Sequence, residues 1–153
     1  MSAIPRPAEA APESVVLDAS FVLRFLLHTQ APRPHPAGLQ MLRGCNLIVP
    51  ALWNAEVANA LVQAERRGAV PPTRIGAALA AIQALNPAVD AQPVDVARNL
   101  AFARAHGLST YDALYFELAL RRKAALASCD AAMIAAAPGA GIRLYPAVGA
   151  LRA

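Results

Sequence analysis

Short apolar, β-branched runs alternate along this chain with longer stretches of helical period, the pattern of βαβ units wound around a parallel sheet. Five runs read as strands: 14–18 (SVVLD), 46–49 (NLIV), 91–94 (AQPV), 124–128 (AALAS) and 142–145 (IRLY). Between them the apolar positions recur every three to four residues, which predicts helices over 19–28, 51–67, 73–85, 94–106, 110–122 and 130–137. The expected architecture is one α/β domain with a mainly parallel sheet of about five strands.

Breakers set the boundaries. Pro32, Pro34 and Pro36 cannot continue the first helix, Gly68 closes the second, and Pro87 stops the third. Gly107 ends the helix before it, and the Pro138-Gly139-Ala140-Gly141 turn ends the last. The segment 51–85 reads as a two-helix arm rich in Ala, Leu and Val, a surface that could receive a partner helix or a second subunit as well as pack a core. No internal repeat and no second domain is evident. Residues 1–13, with Pro5, Pro7 and Pro12 among alanines, read as a flexible leader, and 14–153 as the domain.

A chain of 153 residues is long enough for a full hydrophobic core. Hydrophobic residues make up 57%, much of it alanine, and no run approaches the roughly 18 apolar residues of a membrane span. Cys45 and Cys129 form no CxxC or Cys/His pattern and are too few for a disulfide scaffold, so a reducing cytoplasm is the expected compartment. Fourteen basic against ten acidic residues give a net charge of +4, which favours an anionic partner without naming it.

The acids are placed more tellingly than they are numerous. Asp18 ends an apolar strand, and Asp130 closely follows another, so both are expected at strand carboxyl ends, where open α/β sheets hold their ligands. Glu56 lies in the second turn of the helix after the second strand, and Asp112 in the first turn of the helix opened by Gly107-Leu108-Ser109. Four carboxylates thus converge from distant parts of the chain. Two unit charges about 5 Å apart repel by roughly 3 kcal/mol at an effective dielectric of about 20. Oxygen-only ligands without His or Cys suit a hard cation, Mg²⁺ or Mn²⁺, which can activate water and stabilise the leaving oxygen of a phosphodiester.

Each acid also has a structural reading. Ser109 and Asp112 fit a helix capping box, Asp130 a helix N-cap, and Glu56 a solvated helix face. Asp18 is harder to explain this way, because a carboxylate directly after a buried strand needs a partner. Glu117 points away from Asp112 and reads as surface or rim; His28, His35 and His106 share no ligand spacing. Trp53, with Val57, Ala60 and Leu61, reads as core or dimer contact more than as a base-stacking platform. The Ser109 hydroxyl has no neighbouring histidine and reads as a cap, not a nucleophile.

Four blocks together resemble the PIN-domain ribonucleases, and specifically the VapC-type toxins of bacterial toxin-antitoxin pairs. VVLDASFVLRFLL is similar to the family's opening strand, with Asp18 and Ser20 in its Asp-x-Ser/Thr signature. VPALWNAEVANAL carries the family's glutamate at Glu56, and GLSTYDALYFELAL resembles its Gly-Leu-Ser-x-x-Asp-Ala-x-Tyr stretch, with Asp112. ALASCDAAMIAAA is similar to its Thr-x-Asp pattern, with Ser128 in the threonine place and Asp130 as the fourth acid.

The resemblance implies a three-layer, Rossmann-like α/β/α fold and a Mg²⁺- or Mn²⁺-dependent endoribonuclease that hydrolyses RNA phosphodiester bonds by metal-activated water. It implies a homodimer neutralised by a cognate antitoxin. Asp18, Glu56, Asp112 and Asp130 would be the catalytic metal ligands, and Ser20 and Ser128 would orient carboxylates. Arg24, Arg98 or the Arg121-Arg122-Lys123 run would hold the RNA backbone, although a solvated face accounts better for residues 121–123. Two alternatives remain: a catalytically weak PIN-like module that binds protein or RNA, and a small-molecule phosphohydrolase of the haloacid dehalogenase type. The latter wants D-x-D after its first strand, where this chain has Asp18-Ala19-Ser20.

Overall fold

In the computed structural model the described residues are 11–27 and 39–147; the predicted leader, apart from its last three residues, and His28, His35 and the Pro32, Pro34, Pro36 cluster lie outside them. Strands β1 (Ser14–Leu17), β2 (Asn46–Pro50), β3 (Ala88–Asp90) and β4 (Ala125–Ala127) form one parallel sheet in the order β3-β2-β1-β4. The helices are α1 (Ala19–Leu27), α2 (Leu52–Arg66), α3 (Pro72–Leu85), α4 (Val96–His106), α5 (Thr110–Arg122) and α6 (Ala131–Ala136). Helix α1 packs on α2 and α3, while α5 lies across β1, β2 and β4 with α4 against it, giving an α/β/α domain.

Burial explains strands β1 and β4. Val15, Val16 and Leu17 of β1 are fully buried, as are Ala125, Leu126 and Ala127 of β4, because each lies between helices on both faces of a parallel sheet. Phe21, Phe116 and Met133 complete this core from α1, α5 and α6. Trp53 is buried with Val57 and Leu61 on α2, so its stripe is core. Its indole N–H has no hydrogen-bond partner among the described residues.

Two expected strands are corrected. The third comes earlier, at Ala88–Asp90 and not at 91–94, because α3 stops at Leu85 and the chain enters the sheet immediately past Pro87. The fifth, 142–145, shrinks to a single bridge between Leu144 and Leu126, framed by hydrogen bonds from Leu126 N–H to the Arg143 carbonyl and from Tyr145 N–H to the Leu126 carbonyl. Gly141, in a left-handed conformation, and Pro146 confine it from either side. Among the described residues the sheet therefore has four strands.

The end of the predicted leader belongs to the folded structure. The Glu13 carbonyl accepts the Asn46 N–H, and the Glu13 carboxylate pairs with Arg143. No helix among the described residues is long and apolar enough to cross a membrane.

A candidate metal centre at the sheet switch point

The strand order reverses between β1 and β4: β2 and β3 were added on one side of β1, and β4 on the other. The carboxyl ends of these two strands make the crevice where α/β sheets place their ligands. Asp18 follows β1 directly, its N–H bonded to the Ala127 carbonyl at 2.9 Å, and Ser128 follows β4.

Asp18 is 5% exposed and is the one buried charged residue among those described. Its Oδ2 accepts hydrogen bonds from the hydroxyls of Ser20, in the first turn of α1, and Ser128, at 2.7 Å. Ser20 Oγ in turn accepts the Cys129 N–H, and Ser128 Oγ the Asp130 N–H. The two serines thereby stitch the β1–α1 and β4–α6 turns together around one carboxylate. Burial above all pushes the Asp18 carboxyl above the ordinary carboxylate range; the Asp112 charge acts the same way, against the serine hydrogen bonds.

Glu56, half-buried on α2, accepts a hydrogen bond at Oε2 from the Tyr115 hydroxyl of α5. Burial raises its carboxyl as well, helped by the charges of Asp18 and Asp112 and opposed by Tyr115. Asp112 sits in the first turn of α5, held by Ser109: the Ser109 hydroxyl donates to Asp112 Oδ2 at 2.6 Å and accepts the Asp112 N–H at 3.1 Å. The cap is therefore real, but the side-chain return contact goes to the hydroxyl and not to the Ser109 backbone. Asp18, Glu56 and Asp112 feel one another electrostatically although they come from three separate elements.

Asp130 stands differently. It is the N-cap of α6, accepting the Met133 N–H at 2.9 Å, and it is not among the principal charges acting on Asp18 or Glu56. Its connection to the other three runs through Ser128.

In the conformation described, no three His, Cys, Asp or Glu side chains among the described residues are gathered closely enough to hold a metal ion. Each carboxylate is occupied with a local partner: Asp18 with two serines, Glu56 with Tyr115, Asp112 with Ser109, Asp130 with a helix end. No arginine or lysine among the described residues forms a salt bridge with any of the four. A buried carboxylate served only by neutral donors, with two further acids raising its cost, is chemically suited to a hard cation.

Tyr115 entered the sequence reading only as the last position of the Gly-Leu-Ser-x-x-Asp-Ala-x-Tyr stretch, with no role assigned to it. It is 1% exposed, and burial first, then Glu56, push its phenol well above the usual range, so it remains a donor. The available signal was its spacing, one turn after Asp112 on the same helix face.

The basic candidates separate. Arg121 forms a two-pronged pair with Asp90, at 2.7 and 3.2 Å, and also bonds Glu117, which reaches Arg98. It is thus committed to holding β3 against α5. Arg24 is exposed beside Cys129, next to the acidic crevice. His106 packs its ring against Phe102 and Phe116. A cleft lined by Pro50, Asp90, Arg98, Phe102, Leu114 and Arg121 opens further along the same rim, and none of the four acids lines it.

Comparison with known proteins agrees with this arrangement. PAE2754 from Pyrobaculum aerophilum superposes with a TM-score of 0.59 at 23% identity, over 82% of this chain and 85% of that one. FitAcB from Neisseria gonorrhoeae does so with a TM-score of 0.55 at 16% identity, over 85% and 95%. At these identities the likeness is one of fold. No curated protein sequence matches the chain. The family model described as PIN domain matches residues 15–138, from the first buried valine of β1 to just past α6, and the chain belongs to the PIN-domain family.

Proposed function

We propose that this protein is a Mg²⁺- or Mn²⁺-dependent endoribonuclease, the VapC-type toxin of a bacterial toxin-antitoxin pair. PIN domains are typically metal-dependent nucleases, and the four sequence blocks around Asp18, Glu56, Asp112 and Asp130 resemble those of VapC toxins. The observation that carries the reading is the buried Asp18 at the sheet switch point, with no salt bridge among the described residues and with Glu56 and Asp112 acting on one site from two other elements.

Asp18, Glu56 and Asp112 would hold the ion, with Asp130, joined to Asp18 through Ser128, as the fourth acid. The ion, when bound, supplies positive charge to the phosphodiester and lowers the pKa of water. Ser20 and Ser128 keep Asp18 in one orientation, and Tyr115 does so for Glu56. Arg24, beside Cys129 and exposed, and Arg98, whose side chain is 65% exposed, are the arginines we assign to the RNA backbone. Val96 and Leu100, one turn apart on α4, and Tyr111 are exposed apolar side chains that favour a homodimer.

The test is cleavage of RNA by the purified protein in Mg²⁺, beside Asp112→Asn. The variant is expected to lose activity by at least the roughly 100-fold seen at the upper end for residues one step removed from a metal. Equal rates would overturn the assignment. Growth arrest on induction, relieved by coexpressing the protein of the adjoining gene, is the expected cellular result, and sizing of that complex reports its stoichiometry. A second reading, a PIN-like binding module without catalysis, is favoured by the carboxylates being satisfied locally; it requires that the parent leave RNA intact in Mg²⁺ and in Mn²⁺.

A further inference from the structure

The cleft beside the acidic crevice is lined by none of the four acids, yet two of its walls continue the elements that carry them. Leu52 lines it from α2, one helical turn before Glu56, and Leu114 from α5, two residues after Asp112. The separation along α2 is about 6 Å at 1.5 Å per residue, short enough for the nucleotide next to one held at the acids to reach the cleft.

The lining is divided in character. Phe102, Leu114 and Leu118 supply an apolar floor, with the Phe102 ring held by contacts to His106 and Phe116, and Val94 is 55% exposed at the edge. Along one wall Asp90, Arg121, Glu117 and Arg98 form a continuous run of ion pairs, two cations against two anions. Asp95 caps α4, and the Asn99 side-chain amide donates to the Thr110 carbonyl, which leaves its oxygen as an acceptor.

A wall whose charges cancel one another does not select a phosphate or a bare ammonium. An apolar side chain of a protein partner would cover the floor but leave the polar edge without hydrogen-bond partners, which is costly once water is excluded. A nucleobase has apolar faces and a hydrogen-bonding edge, and so meets both requirements. The volume, about 110 Å³, is well below the roughly 300 Å³ at which pockets enclose drug-sized ligands, and suits a single ring system.

We propose that this cleft takes one unpaired base of the RNA strand, next to the nucleotide cut at the acids, and so contributes to which sequence is cut. The proposal rests on the ribonuclease reading above and adds a base-binding subsite to it. Phe102 gives the base a stacking surface, and Asn99 accepts a hydrogen bond from its edge.

Titration of the ¹⁵N-labelled full chain with a short single-stranded RNA, in chelator so that the strand stays intact, reads occupancy without any activity assay. A matching set of strands each lacks the base at one position. The intact strand is expected to move the backbone amide resonances of Val94 and Asn99. One strand of the set is expected to leave them in place and to bind about tenfold more weakly, within the range for loss of one stacked base. Val94→Trp, a change in an exposed loop that fills the cleft from its edge, is expected to bind that strand and the intact one equally. Should RNA bind only with metal present, the same comparison is made on kcat/KM in Mg²⁺. Movement of the Ser20 and Cys129 amides without those of Val94 and Asn99, or equal handling of every strand by the parent, overturns the subsite and leaves the nuclease reading standing. Movement of the Val94 and Asn99 amides on raising the protein concentration alone assigns the cleft to a second copy and overturns the subsite as well. A parent that neither binds the strand nor cuts it in Mg²⁺ overturns both.

Discussion

Asp18 illustrates how a single residue can be at once costly and explicable. Its backbone joins the sheet, its side chain is buried, and among the described residues its partners are neutral, the Ser20 and Ser128 hydroxyls and the Ser20 backbone, so the fold bears a desolvation cost at this position. Asp18→Asn keeps the shape and an acceptor oxygen while removing the charge. In the presence of a chelator this variant is expected to unfold at a higher temperature than the parent, by about 2–4 °C for each kcal/mol recovered in a chain of this length. Calorimetric melting of the two proteins checks it, and a lower melting temperature for the variant would mean that the charge is stabilised by groups other than those described. Asp18, Ser20 and Ser128 were legible in the sequence because a strand end places its next residue predictably. The partner of Glu56 was not, since Tyr115 is 59 residues away on another helix and the two meet only in the folded chain.

At the scale of elements, the helices were legible nearly to the residue and the strands less so. Helix α5 is opened by Ser109 and closed after Arg122 by Lys123 in a left-handed conformation, features written into local sequence. Strand β3 has three residues, is largely exposed, and has no apolar run to announce it; the pairing with β2 creates it. Its anchor to α5 is the Asp90–Arg121 pair, which holds the Asp90 carboxyl below the ordinary carboxylate range, the Arg121 hydrogen bonds being the main cause. A carboxyl lowered by folding contributes stability that is present above its unfolded pKa of about 3.9 and is lost as pH falls through the lowered native value. Asp90→Asn is therefore expected to be less stable than the parent in urea at pH 7, by no more than about 1 kcal/mol for so accessible a pair, and the deficit is expected to shrink as the pH is lowered through the carboxylate range. A deficit that persists unchanged in acid would place its origin outside the ion pair.

For the whole molecule, the order β3-β2-β1-β4 matters more than any one contact. It puts the reversal of strand order between β1 and β4, so the two turns joined by Ser20 and Ser128 become the crevice, with α2 and α5 delivering Glu56 and Asp112 to it. Alternation of strands and helices made the fold class legible, and the acids were legible as residues at strand and helix ends; that they act as one site is the proposal made above. Asp130 was legible as an acid after a strand, but its commitment to capping α6 depends on how the short helix begins.

The claim on which the rest depends is that these carboxylates bind a divalent cation. Thermal unfolding of the full chain at neutral pH, in chelator and in millimolar MnCl₂, tests it most directly. Binding at about 100 times the dissociation constant adds roughly 2.7 kcal/mol, so the parent is expected to melt several degrees higher in Mn²⁺ while Asp18→Asn is not. Identical melting of the parent in chelator and in Mn²⁺ would contradict it.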